Sequence, residues 1–215
     1  ITKIQKYTSA AVKCLINVSQ SELEVDAQIK FRYGIHSNEI QHTLIKTAVD
    51  KIDIDSPNWT FVAARLFLYD LYHRVNGFTG YGSLESYFER GEAEGRILLG
   101  LRDKFDLADL DAYIVPERDL EFNYLGVKTL YDRYLIKDRN GDPIELPQHM
   151  FMAVAMFLAQ NESDRQTWAK KFYDMMSKFE VMMATPTLSN ARTNRHQLSS
   201  CYIGSAPDNI EGIFD

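Results

Sequence analysis

Apolar residues recur at three- and four-residue spacing along most of the chain, which predicts a mainly α-helical protein. Up to about residue 70, the pattern contains four helices with clear start signals. Ser21–Glu24 forms a capping-box sequence, Ser37 is predicted to cap the next helix, and Ser56–Pro57 opens the fourth. In that fourth helix the spacing places five residues on one face, namely Trp59, Val62, Leu66, Tyr69 and His73.

A glycine-rich stretch between Val75 and Gly82 is the predicted domain boundary. Helices are then expected around residues 84–90, 105–113, 125–134, 148–160 and 164–179. Asn140–Gly141 lies between two apolar segments, Tyr134–Ile136 and Ile144–Leu146, and this arrangement predicts a β-hairpin.

The last of these helices carries an apolar stripe that is predicted to be core, made of Trp168, Phe172, Met175, Met176 and Phe179. Thr185-Pro186-Thr187 cannot continue a helix, because Pro186 lacks a backbone donor and restrains the residue before it. We therefore expect a strand-like segment there.

Hydroxyl residues surround a single cysteine, Cys201, in Gln197–Ile203. Hydroxyls in a tight backbone beside a thiol are a suitable place for a phosphate-bearing ligand next to a reactive group. The alternative interpretation is a Ser/Thr-rich turn before a core strand, in which the cysteine is a small buried hydrophobe.

Thr185-Pro186-Thr187 followed by Ser199-Ser200-Cys201 resembles the entry to the catalytic barrel of class I ribonucleotide reductase large subunits. Five other segments occur in the order found in that family's amino-terminal regions, namely Asn17–Ser19, Phe31–Ile35, Pro57, Ala63–Leu66 and Arg118–Leu120. The resemblance covers nearly the whole chain. It implies a fragment of a longer subunit, inactive by itself.

The resemblance also implies a domain order. Residues 1–75 are expected to form a regulatory bundle like the family's ATP cone, and residues 76–183 a helical domain with the β-hairpin. Residues 184–215 are expected to begin an α/β barrel with its first strand.

By this resemblance, the parent protein reduces ribonucleoside diphosphates to deoxyribonucleoside diphosphates by thiyl-radical chemistry. A separate metal-containing small subunit supplies the radical, and thioredoxin or glutaredoxin re-reduces the active-site disulfide. The implied large subunit is a homodimer that binds no cofactor directly, and ATP, dATP and other deoxynucleotides act as its allosteric effectors.

Three residues match the family's catalytic pocket. Cys201 matches one of the two reducing thiols, whose partner is not in this sequence, and Thr185 and Ser200 match positions that hold the substrate's diphosphate. Without the resemblance, Thr185 is interpreted as a residue that favours a turn, through hydrogen bonds of its hydroxyl group to nearby backbone.

A second set of three residues matches the start of the family's specificity-effector loop, namely Asp208, Asn209 and Ile210. A deoxynucleotide bound at this loop selects which base is reduced. The alternative for Asp208 is a helix cap.

The expected allosteric nucleotide site consists of Lys3, Ser37 and His73. Lys3 matches an early lysine of the cone, Ser37 replaces a threonine and His73 replaces a lysine. The family's basic hairpin before the first helix is missing from the sequence, so we expect weak ATP or dATP binding. The alternative for Lys3 and His73 is solvated helix surface.

Composition and charge disfavour several classes of protein. The net charge of −6 with scattered basic residues disfavours nucleic-acid binding. The apolar run at residues 150–159 is too short for a membrane span, and we expect a cytoplasmic protein. Cys14 and Cys201 lie 187 positions apart among five histidines, which fits neither a disulfide framework nor a zinc site.

Two other classes stay open, a stand-alone helical nucleotide-sensing regulator and a structural interaction module. The regulator would need a metal- or DNA-binding appendage, and the sequence has no paired cysteines. Titration with ATP and dATP separates a sensor from an inert scaffold.

Overall fold

A computed structural model of the chain describes residues 2–28, 34–205 and 208–214, with backbone alone for residues 2, 3 and 213. These ranges hold the helices α1 (Thr2–Val12), α2 (Gln20–Gln28), α3 (Ser37–Asp50), α4 (Trp59–Asn76), α5 (Leu84–Ala93), α6 (Leu107–Tyr113), α7 (Tyr124–Thr129), α8 (Pro147–Ala159), α9 (Arg165–Ser177), α10 (Thr185–Asn190) and α11 (Ile210–Phe214). Short 3-10 turns occur at Arg102–Lys104 and Pro116–Glu121, and α7 continues as a π-helical turn at Leu130–Tyr134. The predicted mainly helical class is confirmed.

Helices α1 to α4 enclose a first hydrophobic cluster. Its buried members are Ala11, Leu23, Ala27, Leu44, Ile45, Ala48, Trp59, Val62, Ala63 and Leu66. The predicted stripe on α4 is therefore correct at Trp59, Val62 and Leu66, while Tyr69 and His73 are half-buried further along.

The start signals of this bundle differ from those predicted. Helix α3 begins at Ser37 itself, with His36 as the N-cap and no side-chain cap. Helix α2 begins before Ser21, and the hydroxyl of Ser19 accepts the hydrogen bond from the Glu22 amide at 3.4 Å. Several hydroxyl residues near a helix start can cap it, and packing selects which of them sits at the end.

A second, larger cluster is built around α8. This helix buries almost every side chain, including both Met150 and Ala155 on different faces, which is typical of a helix inside a helical domain. Helix α9 packs along α8. Helix α4 contributes to both clusters, since Leu68, Leu71 and Tyr72 belong to the second one.

The predicted stripe of α9 is correct at Met176, which is buried, and at Phe172, which packs against the second cluster, and it is wrong at the other three residues. Trp168 is 38% exposed, and Met175 and Phe179 are similarly exposed, whereas Tyr173 is fully buried. The buried side of α9 is made of Ala169, Tyr173, Met176 and Ser177. Both stripes have helical spacing, and contact with α8 determines which one is buried.

The predicted β-hairpin is a turn without strands. Lys137 and Pro143 form one isolated antiparallel bridge, and Gly141 has a left-handed conformation with φ of +87°. The Ile144 amide donates to the Ile136 carbonyl at 3.0 Å, but the ladder does not extend, because the Ile136 amide donates to the Glu145 carboxylate at 2.9 Å instead of returning a bond to Ile144. Residues 2–28, 34–205 and 208–214 contain no β-strand.

The predicted barrel strand is also absent from the described residues. Ala184 is extended, and Thr185 then begins the short helix α10. Pro186 lies in its first turn, where a missing amide leaves no hydrogen bond unmade. Residues 201–205 have no regular structure.

Candidate functional site

Two of the three residues predicted to bind an allosteric nucleotide, Ser37 and His73, line a cavity of about 390 Å³ between α1, α3 and α4. Its lining comprises Ile4, Tyr7, Ser37, Asn38, Ile40, Gln41, Leu44, Tyr69, Asp70 and His73. Packing of α3 against α4 thus brings Ser37 and His73 to one cavity. The backbone of Lys3 lies in α1 next to Ile4, and its side chain is outside the described residues, as is part of the Phe31–Ile35 segment.

One end of this cavity is aromatic and hydrogen-bonded. The Tyr7 hydroxyl lies 2.6 Å from His73 Nε2, and Thr79 Oγ1 lies 3.1 Å from the same nitrogen. The rings of Tyr7 and Tyr69 are 5.8 Å apart between centroids. His73 therefore lines the cavity with its Nε2 atom already within hydrogen-bond distance of two hydroxyl groups.

Asp70 adds an acidic group to the same lining. Burial raises the pKa of the Asp70 carboxyl, while nearby Arg74, His42 and His73 act in the opposite direction. The lining residues that the structure describes include no lysine or arginine. The described part of the lining therefore suits a planar, aromatic group.

Thr185, the predicted substrate contact, is exposed at the start of α10. Its hydroxyl lies 3.1 Å from the hydroxyl of Tyr134, at the end of the π-helical turn. Two hydroxyls thus form one small polar surface.

Ser200 and Cys201 lie in an exposed irregular segment, where Ser200 Oγ donates to Cys201 Sγ at 3.7 Å. Both Cys14 and Cys201 are free and exposed, so Cys201 is not the buried hydrophobe of the alternative interpretation. Within residues 184–205 no hydrogen bond joins Thr185 to Ser200. The structure does not bring these two predicted substrate contacts into direct contact.

Asp208, Asn209 and Ile210 precede and begin the five-residue helix α11. The Gly212 amide donates to Asn209 Oδ1 at 2.7 Å, so the cap of this helix is Asn209 and not Asp208. Ile210 is largely exposed.

Acidic, histidine and cysteine side chains do not gather into a metal-binding group of three or more within the described parts of the chain.

Among the described helices, none combines the length and apolar character that a membrane crossing requires.

Sequence reasoning missed a buried ion pair between Glu145 and Arg192. Arg192 Nε donates to Glu145 Oε1 at 2.6 Å and Nη2 donates to Oε2 at 2.5 Å, with both side chains fully buried. Burial by itself lowers the pKa of the Arg192 guanidinium, but the Glu145 charge raises it above its ordinary value. The Tyr87 hydroxyl also donates to Glu145, at 2.6 Å.

A second missed cluster centres on Asp119. Its carboxylate accepts hydrogen bonds from Tyr72 at 2.7 Å, Tyr81 at 2.6 Å and Gln148 at 2.8 Å. Tyr173 then donates to Gln148 at 2.8 Å. These partners are far apart in the chain, and no local motif signals that they meet.

Comparison with known proteins identifies the sequence family. Residues 120–196 match the family described as "Ribonucleotide reductase, all-alpha domain". The ribonucleoside-diphosphate reductase subunit alpha of Helicobacter pylori is 70% identical over 215 residues, which are 100% of this chain and 27% of that protein.

More distant relatives carry the same name. The alpha subunit of Treponema pallidum is 37% identical over 80% of this chain and 21% of its own length. The ribonucleoside-diphosphate reductase 1 subunit alpha of Escherichia coli is 31% identical over 99% of this chain and 29% of its own length. The chain thus spans less than a third of these relatives, and it belongs to the ribonucleotide reductase large-subunit family, corresponding to an amino-terminal part of that subunit.

Proposed function

We propose that this chain forms part of a ribonucleoside-diphosphate reductase, which reduces ribonucleoside diphosphates to deoxyribonucleoside diphosphates. The observation that carries the proposal is the 70% identity to a protein of that name over all 215 residues. A radical-generating small subunit and thioredoxin or glutaredoxin are the proposed partners. This chain is proposed to supply part of the active site and to be inactive without the rest of the subunit.

Cys201 is proposed as one of the two thiols that deliver electrons to the sugar. Reduction of the 2′ carbon oxidises the thiol pair to a disulfide, and two electrons from thioredoxin or glutaredoxin restore the thiols. An exposed, unpaired thiol beside a hydroxyl donor suits this cycle, because exchange requires access to the sulfur.

Thr185 and Ser200 are proposed to hold the substrate's diphosphate. Hydroxyl groups bind phosphate oxygens without a large positive charge. Both hydroxyls are exposed in this structure, and their direct approach to one another is not required for binding a diphosphate between them.

The cavity between α1, α3 and α4 is the proposed place for the adenine-nucleotide effector. Tyr7 and Tyr69 offer aromatic surface for a purine. Lys3, Ser37 and His73 stay the proposed nucleotide contacts. Asp208, Asn209 and Ile210 stay the proposed start of the specificity-effector loop, and only Asn209 among them is committed to capping.

Replacing Cys201 by serine in the complete large subunit tests the function. We expect Cys201→Ser to abolish turnover sustained by thioredoxin while leaving substrate binding intact, since serine is nearly isosteric but cannot form a disulfide. The measurement is deoxyribonucleotide formation with the small subunit present and thioredoxin as the reductant.

Cys14→Ser is the matched control, because Cys14 is the other exposed free cysteine and lies in the turn after α1. It should retain full activity. Normal turnover by Cys201→Ser would contradict the proposed role of the thiol, and no reductase activity in the unmodified subunit would contradict the function itself.

A further inference from the structure

Arg192 binds two separate parts of the chain as well as Glu145. Nη1 donates to the carbonyl of Leu188 in α10, and Nη2 donates to the carbonyl of Tyr134 at 2.8 Å. One planar guanidinium therefore joins α10 to the end of the π-helical turn at Leu130–Tyr134.

The two segments joined by Arg192 are those that carry the paired hydroxyls. Tyr134 ends the π-helical turn, Thr185 begins α10, and their hydroxyl oxygens are 3.1 Å apart. A shift of either segment would separate these oxygens, because each hydroxyl is carried by a short element of about one or two turns.

Glu145 keeps the arginine in place. Its carboxylate receives both the Nε and Nη2 donors, and its remaining acceptor capacity is taken by the Tyr87 hydroxyl and the Ile136 amide. The buried pair is therefore fully hydrogen-bonded on the carboxylate side, and the guanidinium has a single favourable orientation.

We propose that Tyr134 is a further diphosphate-binding residue, and that Arg192 and Glu145 are positioning residues that hold its hydroxyl beside that of Thr185. This inference rests on the proposed function, from which the role of Thr185 comes. Tyr134 can donate to a phosphate oxygen directly, or it can donate to Thr185 Oγ1 and so direct the threonine proton toward the phosphate.

The hydroxyl is the group to remove. In the complete reductase, Tyr134→Phe deletes that oxygen and retains the ring, so the fold should persist. We expect KM for a ribonucleoside diphosphate to rise about fivefold, the usual effect of losing one neutral hydrogen bond, with kcat nearly unchanged. If the substitution only reduced the fraction of enzyme that is folded, the apparent kcat would fall and KM would stay constant.

Tyr131→Phe is the matched control. Tyr131 lies in the same π-helical turn, and its hydroxyl accepts from Arg74 Nη1 at 3.0 Å rather than meeting α10. KM should not change in this variant.

The positioning role is tested by Arg192→Lys alone and combined with Tyr134→Phe. Lysine keeps the charge but cannot reach Glu145, Leu188 and Tyr134 together. We expect Arg192→Lys to raise KM, and the double variant to show no further rise, since the first change already displaces the hydroxyl.

The outcomes separate the two proposals. If the unmodified subunit reduces ribonucleoside diphosphates and Tyr134→Phe leaves KM unchanged, this inference is wrong and the proposed function stands. Independent, multiplicative effects of the two substitutions would overturn the positioning role. An unmodified subunit without reductase activity overturns the proposed function and this inference with it. Should Arg192→Lys fail to fold, the Tyr134→Phe and Tyr131→Phe comparison decides the role of Tyr134, and Glu145→Gln replaces Arg192→Lys in the double variant, with the same expected results, because Glu145 orients the arginine.

Discussion

Asp119 and His149 are buried on either side of Tyr81, and burial shifts their pKa values in opposite directions. The Tyr81 hydroxyl donates to Asp119, and the Tyr81 ring meets the His149 ring edge-on with centroids 4.9 Å apart. Burial raises the pKa of Asp119 to about 6, against the opposing effect of hydrogen bonds from Tyr81, Gln148 and Tyr72. Burial lowers the pKa of His149 to about 4, against a smaller opposing effect of the Gly82 backbone.

These shifts make opposite contributions to stability in acid. Between pH 4 and 6 the native carboxyl of Asp119 holds a proton that the unfolded chain releases, so its stabilising contribution is present at low pH and lost as the pH rises. Unfolded His149 instead takes up a proton below its ordinary pKa while the native ring stays neutral, which destabilises the native state as the pH falls toward 4. The two contributions largely cancel.

Asp119→Asn should therefore make the protein acid-sensitive. Asparagine cannot take up the proton that stabilises the native state in acid. Between pH 6.5 and 4 the free energy of unfolding of the variant should therefore fall, relative to that of the unmodified protein, by about 2–3 kcal/mol, at about 1.4 kcal/mol per pKa unit. Urea denaturation at several pH values measures this difference.

The control for this prediction is Asp132→Asn, which changes an exposed carboxylate paired with Lys128. Its difference from the unmodified protein should stay nearly constant over the same pH range. A difference between Asp119→Asn and the unmodified protein that does not change with pH would contradict the assignment of the Asp119 shift.

At the scale of elements, the chain that follows α5 can pack closely against this helix because Gly91 has no side chain. Ser83 caps the helix by accepting from the Ser86 amide at 3.2 Å. Further along, the Gly91 carbonyl accepts from the amides of Arg96 and Ile97, and the chain folds back over the helix. A Cβ on Gly91 would lie only 2.2 Å from Ile97 Cδ1.

Gly91→Ala should destabilise the protein although alanine is the better helix former. Its intrinsic gain of about 1 kcal/mol is outweighed by overpacking, which costs about 1–3 kcal/mol and forces Ile97 to move. Ile97→Ala by itself should cost about 2–5 kcal/mol, because Ile97 is fully buried.

The double variant identifies the clash. Gly91→Ala combined with Ile97→Ala should cost at least about 1 kcal/mol less than the two separate effects together, since the second change removes the atoms that the new methyl group meets. Additive effects in urea denaturation would mean that the cost of Gly91→Ala has another origin.

For the whole molecule, α4 is the element that joins the two hydrophobic clusters. Trp59 and Val62 belong to the first cluster and Leu71 to the second, and Phe67 packs against both. The predicted boundary between residues 75 and 76 therefore coincides with the end of a helix that both clusters share. Separate unfolding of either cluster would leave one side of α4 uncovered.

We accordingly predict a single cooperative unfolding transition. In Trp168→Phe the fluorescence comes from Trp59, which is buried in the first cluster, while far-ultraviolet circular dichroism reports on helices of both. The two urea transitions should coincide. Adding Leu44→Ala, which removes a buried side chain of the first cluster alone, should shift both to the same lower midpoint, and two separated transitions would show independent units.

The sequence by itself determined where most helices lie. Apolar spacing and the nearly uniform apolar character of α8 are local properties, and they placed α8 and the start of α9 within one or two residues. Asn140–Gly141 does mark a turn, with Gly141 in the left-handed conformation, but the β-hairpin predicted from it is reduced to one isolated bridge, because the ladder depends on partners outside the turn. The family resemblance also rested on short segments in order along the chain.

Tertiary structure decided which faces are buried and which distant groups meet. On α9, the stripes led by Trp168 and by Tyr173 have the same helical spacing, and the second is buried because Tyr173 packs against α8 and donates to Gln148. Glu145 and Arg192 are 47 residues apart, and each would be unfavourable alone in the core. Their pairing exists because α8 and α10 bring the two side chains together, and periodicity, which reports only neighbours along one element, contains no information on that contact.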